Sequence, residues 1–456
     1  MSPPPGGAPP REGAEPDAAA DADAYATRRA DALARLADGD ADAAFADFRW
    51  ALWERDAAAP LAPDRLADGL GVLARIVVAM GQRELAELCA RASTDVQDPD
   101  LLYELGYELI EVGLPAIAIT VLRRCLEVVP GSEQVVAELV VALERRLRYR
   151  DAAALLAGYP DLTASSFTCR YHQAFAALMS GDLATARAVA ARLGPADDDQ
   201  GFMAARVGAM LARADRVAAV TSLDGRDLRG WHLVITGGVL LHRSPHGFDD
   251  GMTGRYAWLQ DSAALVHTGL RRLREVLAAW RVAPPCIYAP PGRDHEIVAA
   301  AAAAVLDLPV APWPAVGVPA PGLVVAYDLA DVPWRDLERL IDRRPGQVLF
   351  AHASRWVEDG AIAPDVTTLL HQSVVPPWGA QLVVGPDGEP RRAEADPRPV
   401  EAIAADVIAA APLAGDDLAA DDLAGLAALV AAAGAPDVGR RERLWGGSPV
   451  PSNRFE

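Results

Sequence analysis

The chain has 456 residues, half of them apolar, with 63 acidic residues against 43 basic ones and a net charge of −20. That length supports two to three domains with ample core, and the charge argues against nucleic acid or an anionic membrane as the main partner. All 43 basic residues are arginine, a bias typical of GC-rich bacterial coding sequence, so Schiff-base and pyridoxal-phosphate chemistry, P-loop nucleotide binding and kinase chemistry lack their lysine.

Residues 1–24 read as a disordered acidic tail with neither the basic nor the apolar stretch of a signal peptide. The Ala-rich run Ile297 to Leu306 is too short to span a bilayer. The four cysteines form no CxxC pair, so neither a disulfide framework nor a cysteine zinc site is indicated, and the expected compartment is the cytoplasm. Cys125 suits a small buried contact position.

Residues 25–212 carry helical periodicity with a 34-residue step. Gly113, Leu147 and Gly181 mark turns, and Ala118, Ala152 and Ala186 each follow five residues later, where a small side chain lets two helices touch. Leu102, Leu105, Gly106, Tyr107, Leu122, Cys125 and Pro130 complete the first unit. Gly39 to Ala44 and Gly81 to Ala86 repeat the five-residue step but lie 42 residues apart. A hairpin of this size cannot bury its apolar face alone, so neighbours stack. The pattern resembles the tetratricopeptide repeat family, closely over 100–132 and moderately over 134–160 and 168–195. The resemblance implies a solenoid of about five hairpins whose groove takes a protein or peptide, with Tyr103, Tyr107, Tyr171 and Phe175 lining the concave face. The lysines and asparagines of a carboxylate clamp are missing, so the groove would make apolar or aromatic contacts or be filled by the chain's own second domain.

Beyond Arg216 short apolar runs alternate with helical stretches. VAAVTSLDG, WHLVITGGVLLH, PCIYAP, LVVAYDL and GQVLFAHA are expected strands, and 261–280, 294–306 and 333–343 expected helices. This alternation predicts a mainly parallel sheet in a Rossmann-like three-layer α/β domain over 216–412. A hairpin is expected around Pro386-Asp387-Gly388. Helices near 399–411 and 416–433 follow, and residues 413–456 form a helical extension ending in a loose tail. The overall class is α plus α/β.

Ligands of open parallel sheets bind beyond the carboxyl ends of strands. That rule selects the loop after 231–241 (His242, Arg243, His246, Arg255), the loop after Pro290 (Arg293, Asp294, His295), Asp328 with Asp331, and His352, Ser354 and Arg355. Arg243, Arg255, Arg293 and Arg355 are expected to hold an anionic ligand, while His246, His295, Asp328 and His352 are the candidate catalytic groups. Asp294 serves equally as a helix N-cap and Asp328 as a strand-end cap. His242 and His246 with Asp249 or Asp250 have metal-ligand chemistry but loose spacing, so no metal is expected. GxGxxG, GxxxxGK[ST], GxSxG and HExxH are absent. Residues 284–352 resemble a phosphoribosyltransferase-type core in topology, without that family's paired acids and Thr/Gly-rich turn. The leading functional expectation is an interaction or scaffold protein carrying an α/β ligand-binding domain. The alternatives are an enzyme acting on a phosphorylated or sugar-nucleotide substrate, and a ligand sensor without turnover. No specific cofactor is implied.

Overall fold

The computed structural model describes residues 18–53, 61–194, 197–247 and 251–453, so most of the expected N-terminal tail, and Asp249 and Asp250, lie outside the described residues. The chain divides into two compact units, 1–162 and 163–456.

The first unit is built from helices α1 (Ala18–Ala37), α2 (Ala41–Phe48), α3 (Pro63–Ala79), α4 (Arg83–Thr94), α5 (Pro99–Glu111), α6 (Pro115–Val128), α7 (Glu133–Arg145) and α8 (Tyr149–Ala157). They pack pairwise as helical hairpins, with α2, α4 and α6 each also packing on the next helix. A short α9 (Pro160–Ser165) leads into the second unit, where α10 (Phe167–Met179) and α11 (Leu183–Ala190) form a fifth hairpin. Each turn needs one residue in the left-handed region, and each has it: Gly39, Gly81, Gly113 and Gly181 at φ +82, +86, +80 and +92, and Leu147 at +61. Ala44, Ala118, Ala152 and Ala186 are fully buried at the positions five residues on. Close approach is most severe at Gly106, where an added Cβ would lie 2.5 Å from Leu122 Cδ2.

The second unit continues with α12 (Asp198–Val217), α13 (Leu228–Thr236), β1 (Val239–Leu240), β2 (Tyr256–Gln260), α14 (Ala263–Trp280), β3 (Ile287–Tyr288), α15 (Arg293–Leu306), β4 (Val310–Ala311), β5 (Gly322–Asp328), α16 (Trp334–Leu337), β6 (Asp342–Arg343), β7 (Gln347–Arg355), β8 (Val366–Val375), β9 (Leu382–Val384), β10 (Pro390–Arg392), α17 (Val400–Ala409), α18 (Leu423–Ala433) and β11 (Gly439–Arg440). The main sheet is parallel throughout, in the order β1-β8-β7-β5-β3-β4, and β2 pairs with β8 further along the edge that β1 begins. β5 is buried along its whole length, as a central parallel strand must be. The helices α14, α15 and α17 pack together, α14 touching β8 and α15 touching β5. The expected hairpin is β9–β10, paired from Pro390↔Val384 to Arg392↔Leu382. Among the described residues no helix is long and apolar enough to cross a membrane.

Three expectations need correction. VAAVTSLDG is not a strand: α12 runs through Val217 and the chain then turns. The first half of WHLVITGGVLLH is in the helix α13, because Asp227 caps its start by accepting from the Gly230 N–H and Gly237 closes it at φ +76. Gly238 follows with no room for a side chain, since a Cβ would sit 2.4 Å from the Pro364 carbonyl oxygen. Of the expected loose tail, the described residues up to 453 are held in place. Arg441, Leu444 and Val450 are buried, and the Gly360 and Gly447 N–H groups donate to the Leu444 and Trp356 carbonyls.

Candidate functional site

The strand order fixes where a ligand is expected. From β3 the chain moves outward to β4, and from β5 it moves the other way to β7. The crevice between β3 and β5 is therefore the topological switch point, flanked by the loop before α15 and the loop after β5. Asp294 and His295 stand in the first turn of α15, Asp328 ends β5 and Asp331 closes the short turn after it, and Arg355 ends the neighbouring β7.

Asp328 is 3% exposed, and its Oδ2 lies 2.9 Å from Nε2 of His371 on β8. His295 is 2% exposed, and its Nδ1 accepts the Tyr327 N–H at 3.1 Å, which leaves its proton on Nε2. Burial pushes the His295 pKa down, against the pull of Asp331, Asp294 and Asp328. The same crowding pushes the Asp331 carboxyl up: burial contributes most, then Asp328, with Arg355 opposing. A second buried network lies beside this one. Asp261 Oδ2 accepts the Tyr327 hydroxyl at 2.8 Å and sits 3.0 Å from His352 Nε2. Desolvation and the Asp261 charge hold the Tyr327 hydroxyl well above the ordinary phenol range.

A cavity of about 220 Å³ opens at the carboxyl ends of β5 and β7. Asp328, Ser354, Arg355, Glu358 and Asp359 give it its polar lining, and Ala330, Ile362 and Leu444 part of its apolar one. Arg355 pairs with Glu358 at 2.7 Å. The cavity is thus acidic, with one arginine already engaged by a carboxylate.

The structure brings Asp328, Arg355, His295 and His352 to one sheet edge, but the other expected residues go elsewhere. His246 is exposed on a turn where its own N–H donates to Ser244 Oγ. The Arg243 guanidinium donates to the Ala420 carbonyl, and its backbone N–H to Asp421 Oδ1 at 2.9 Å. Arg255 is buried over the Trp356 ring, 5.4 Å from its centroid, and donates to Ser448 Oγ. Arg293 donates to the Asp396 and Arg398 carbonyls at 2.6 and 2.8 Å. The expected cluster of four anion-binding arginines is therefore not formed; three of them fasten loops. Tyr171 and Phe175 are likewise not open groove residues. Tyr171 accepts from Arg206 at 2.9 Å, and Phe175 packs on Trp445 with ring centroids 4.9 Å apart. Tyr107 is 47% exposed and Tyr103 half-buried on α5.

Four important residues escaped the sequence reading. His371 sits in VTTLLHQSVV, whose β-branched run between Pro364 and Pro376 is a strand signal. Asp261 was read only as a helix start, and Tyr327 only as part of a strand. Asp421 has no local signal at all. Its carboxylate is fully buried against Arg229 (2.6 Å), Arg272 (2.8 Å) and His242 (2.7 Å). Its pKa falls below the usual carboxylate range because these partners outweigh desolvation. Among the described residues no three His, Cys, Asp or Glu side chains are placed to hold a metal ion. No protein-family model matches this chain, and no curated protein matches it.

Proposed function

We propose that the chain is an interaction protein of the cytoplasm in which a tetratricopeptide-type solenoid precedes a Rossmann-like α/β domain that binds a small polar ligand. The observation that carries the ligand reading is the cavity of about 220 Å³ beside the switch point, with Asp328 held by His371 at its edge. A buried carboxylate with Glu358 and Asp359 nearby favours an amine or a hydroxyl-rich molecule over a phosphate. The repeat reading draws on five hairpins with left-handed turns and buried alanines at a fixed step. Tyr103 and Tyr107 would then offer aromatic contacts to a bound peptide.

Calorimetric titration of the full chain with spermidine, glucose and inorganic phosphate tests the ligand reading. Binding of an amine or polyol that Asp328→Asn abolishes is the expected result. Phosphate binding with indifference to Asp328→Asn would sink it. The enzyme alternative has the Asp328–His371 pair in its favour, since a carboxylate backed by imidazole is a proton-transfer arrangement. Product formation from the bound ligand would decide for it over the sensor reading.

A further inference from the structure

Two larger cavities are not lined by Asp328: the first lies beside the amino-terminal ends of β1 and β7, where Gly237 and Arg343 precede those strands, and the second beside Trp334, Ile341 and Ala361. One is about 370 Å³ and the other about 420 Å³. Arg440 and Glu442 line both, so the strand β11 and the residues after it form the rim between two halves of one cleft.

The cleft reverses the charge balance of the chain. Arg213, Arg216 and Arg343 line the first half and Arg206, Arg441 and Arg443 the second, with Arg440 between them. The acids on the lining are Asp437 and Glu442. Arg343 and Arg441 are committed to the buried Asp365 beneath. The ion pairs of Arg206, Arg213 and Arg443 are long, although Arg206 also donates to the Tyr171 hydroxyl. Glu442 stands 3.9 Å from Arg206 Nε and 4.0 Å from Arg213 Nη2, beyond hydrogen-bond length, and Arg443 is 3.9 Å from Asp359. Arg213 is desolvated enough that burial lowers its pKa to about 10. The nearby carbonyls are already taken: Arg213 caps Val234 and Ile235, and Arg216 caps Ala433. What faces the cleft is therefore an excess of guanidinium.

The second half also has flat apolar surface. Phe202 is 43% and Trp334 59% exposed, an unusual degree for such large rings. The Arg206 and Arg440 guanidinia lie 4.8 and 4.9 Å from the Phe202 centroid. Guanidinia stacked over an aromatic ring, with the Trp334 ring beside them, offer planar surface to a heterocycle, and a cluster of arginines suits phosphates. Each half has the size of a small-ligand pocket.

We propose that this cleft binds a free nucleoside di- or triphosphate, its phosphates held by Arg213, Arg216 and Arg440 and its base against Phe202 and Trp334. Its second half meets the Asp328 cavity at Ala361, but Asp328 does not line it and the proposal does not rest on that reading. A longer nucleic acid would meet the net charge of −20 outside the cleft.

Calorimetry on the full chain tests this with ATP, GTP, adenosine, pyrophosphate and a short single-stranded oligonucleotide. ATP or GTP saturates one site, while adenosine and pyrophosphate each bind at least about ten-fold more weakly. Arg216→Ala and Arg440→Ala, both at exposed positions, each weaken nucleotide binding roughly 10–100-fold. Phe202→Ala weakens the nucleotide but not pyrophosphate. Failure of both nucleotides to saturate at millimolar concentration overturns the proposal. So does wild-type affinity in both arginine variants, pyrophosphate binding as tightly as ATP, or tighter binding of the oligonucleotide.

Discussion

Asp328 on β5 and His371 on β8 reach each other across the intervening strand β7, with Oδ2 and Nε2 2.9 Å apart and both residues almost fully buried. Burial leaves either group without its partner when the other is removed. His371→Ala should cost roughly 1–3 kcal/mol in chemical denaturation, and Asp328→Asn in that background should recover part of it. Additive effects of the two substitutions would show that the pair is not coupled.

Leu147 occupies at φ +61 the turn position that glycine fills in the other four hairpins. A branched side chain in the left-handed region is strained by roughly 1–2 kcal/mol. Leu147→Gly should therefore stabilise the chain by about 0.5–1 kcal/mol, allowing for the flexibility glycine adds to the unfolded state. A lower thermal midpoint for this variant would contradict that balance.

Gly106 presents the opposite case. Alanine is the better helix former, yet its Cβ would meet Leu122 at 2.5 Å. Leu122 is fully buried on α6 and has nowhere easy to go. Gly106→Ala is expected to destabilise by roughly 1–3 kcal/mol, and Ala118→Trp by at least as much. Pairing Gly106→Ala with Leu122→Ala should then cost less than the sum of the two single changes.

Acid should act through His232. It is buried with Nε2 unpartnered, and desolvation, with Arg255 adding, lowers its pKa from 6.5 to about 4. Between those values the unfolded chain binds a proton that the folded chain refuses. Stability therefore falls as pH drops from about 6.5 toward 4, by roughly 2–3 kcal/mol in total. His232→Gln should flatten this part of the stability–pH curve, measured by denaturation at each pH; an unchanged slope would assign the loss to other groups.

Arg441 donates to Leu340, Gln347 and Asp365 from a side chain with no exposed surface. Arg441→Ala would leave Asp365 with Arg343 and the Leu349 N–H. The expected loss is near the lower end of roughly 3–5 kcal/mol, and a thermal midpoint equal to that of the parent would show the contact to be dispensable.

The hairpin turns were readable because a left-handed residue and a small contact residue at a fixed step are local requirements. β5 and β7 were readable because buried parallel strands are continuous apolar runs. The same logic failed for 231–236, where apolar runs of helix and strand look alike and the deciding features are Asp227 and Gly237 at its ends. The site was legible only in part. Position after a strand brought Asp328, His295, His352 and Arg355 to the right edge. It carried no information on what each arginine would bond, and Arg243, Arg255 and Arg293 found carbonyls or hydroxyls from residues 103 to 196 positions away. Asp421 and Arg441 act through partners so distant in sequence that no local pattern marks them.

The dependence of the second unit on Asp421 and Arg441 also sets an order of events during synthesis. The first unit, ending at Leu162, has all its hairpins early. The sheet cannot neutralise Arg229 and Arg272, or complete the Asp365 pairing, until the chain beyond residue 440 has been made. At about 5–20 residues per second the roughly 65 residues between the end of β8 and Arg441 take on the order of 3–13 s. During that interval β5, β7 and β8 exist as exposed apolar strands, the situation in which nascent chains recruit chaperones. A fragment cut at residue 412 would remain in that state permanently, so the α/β unit should be expressed from residue 163 through its last strap rather than trimmed to its sheet.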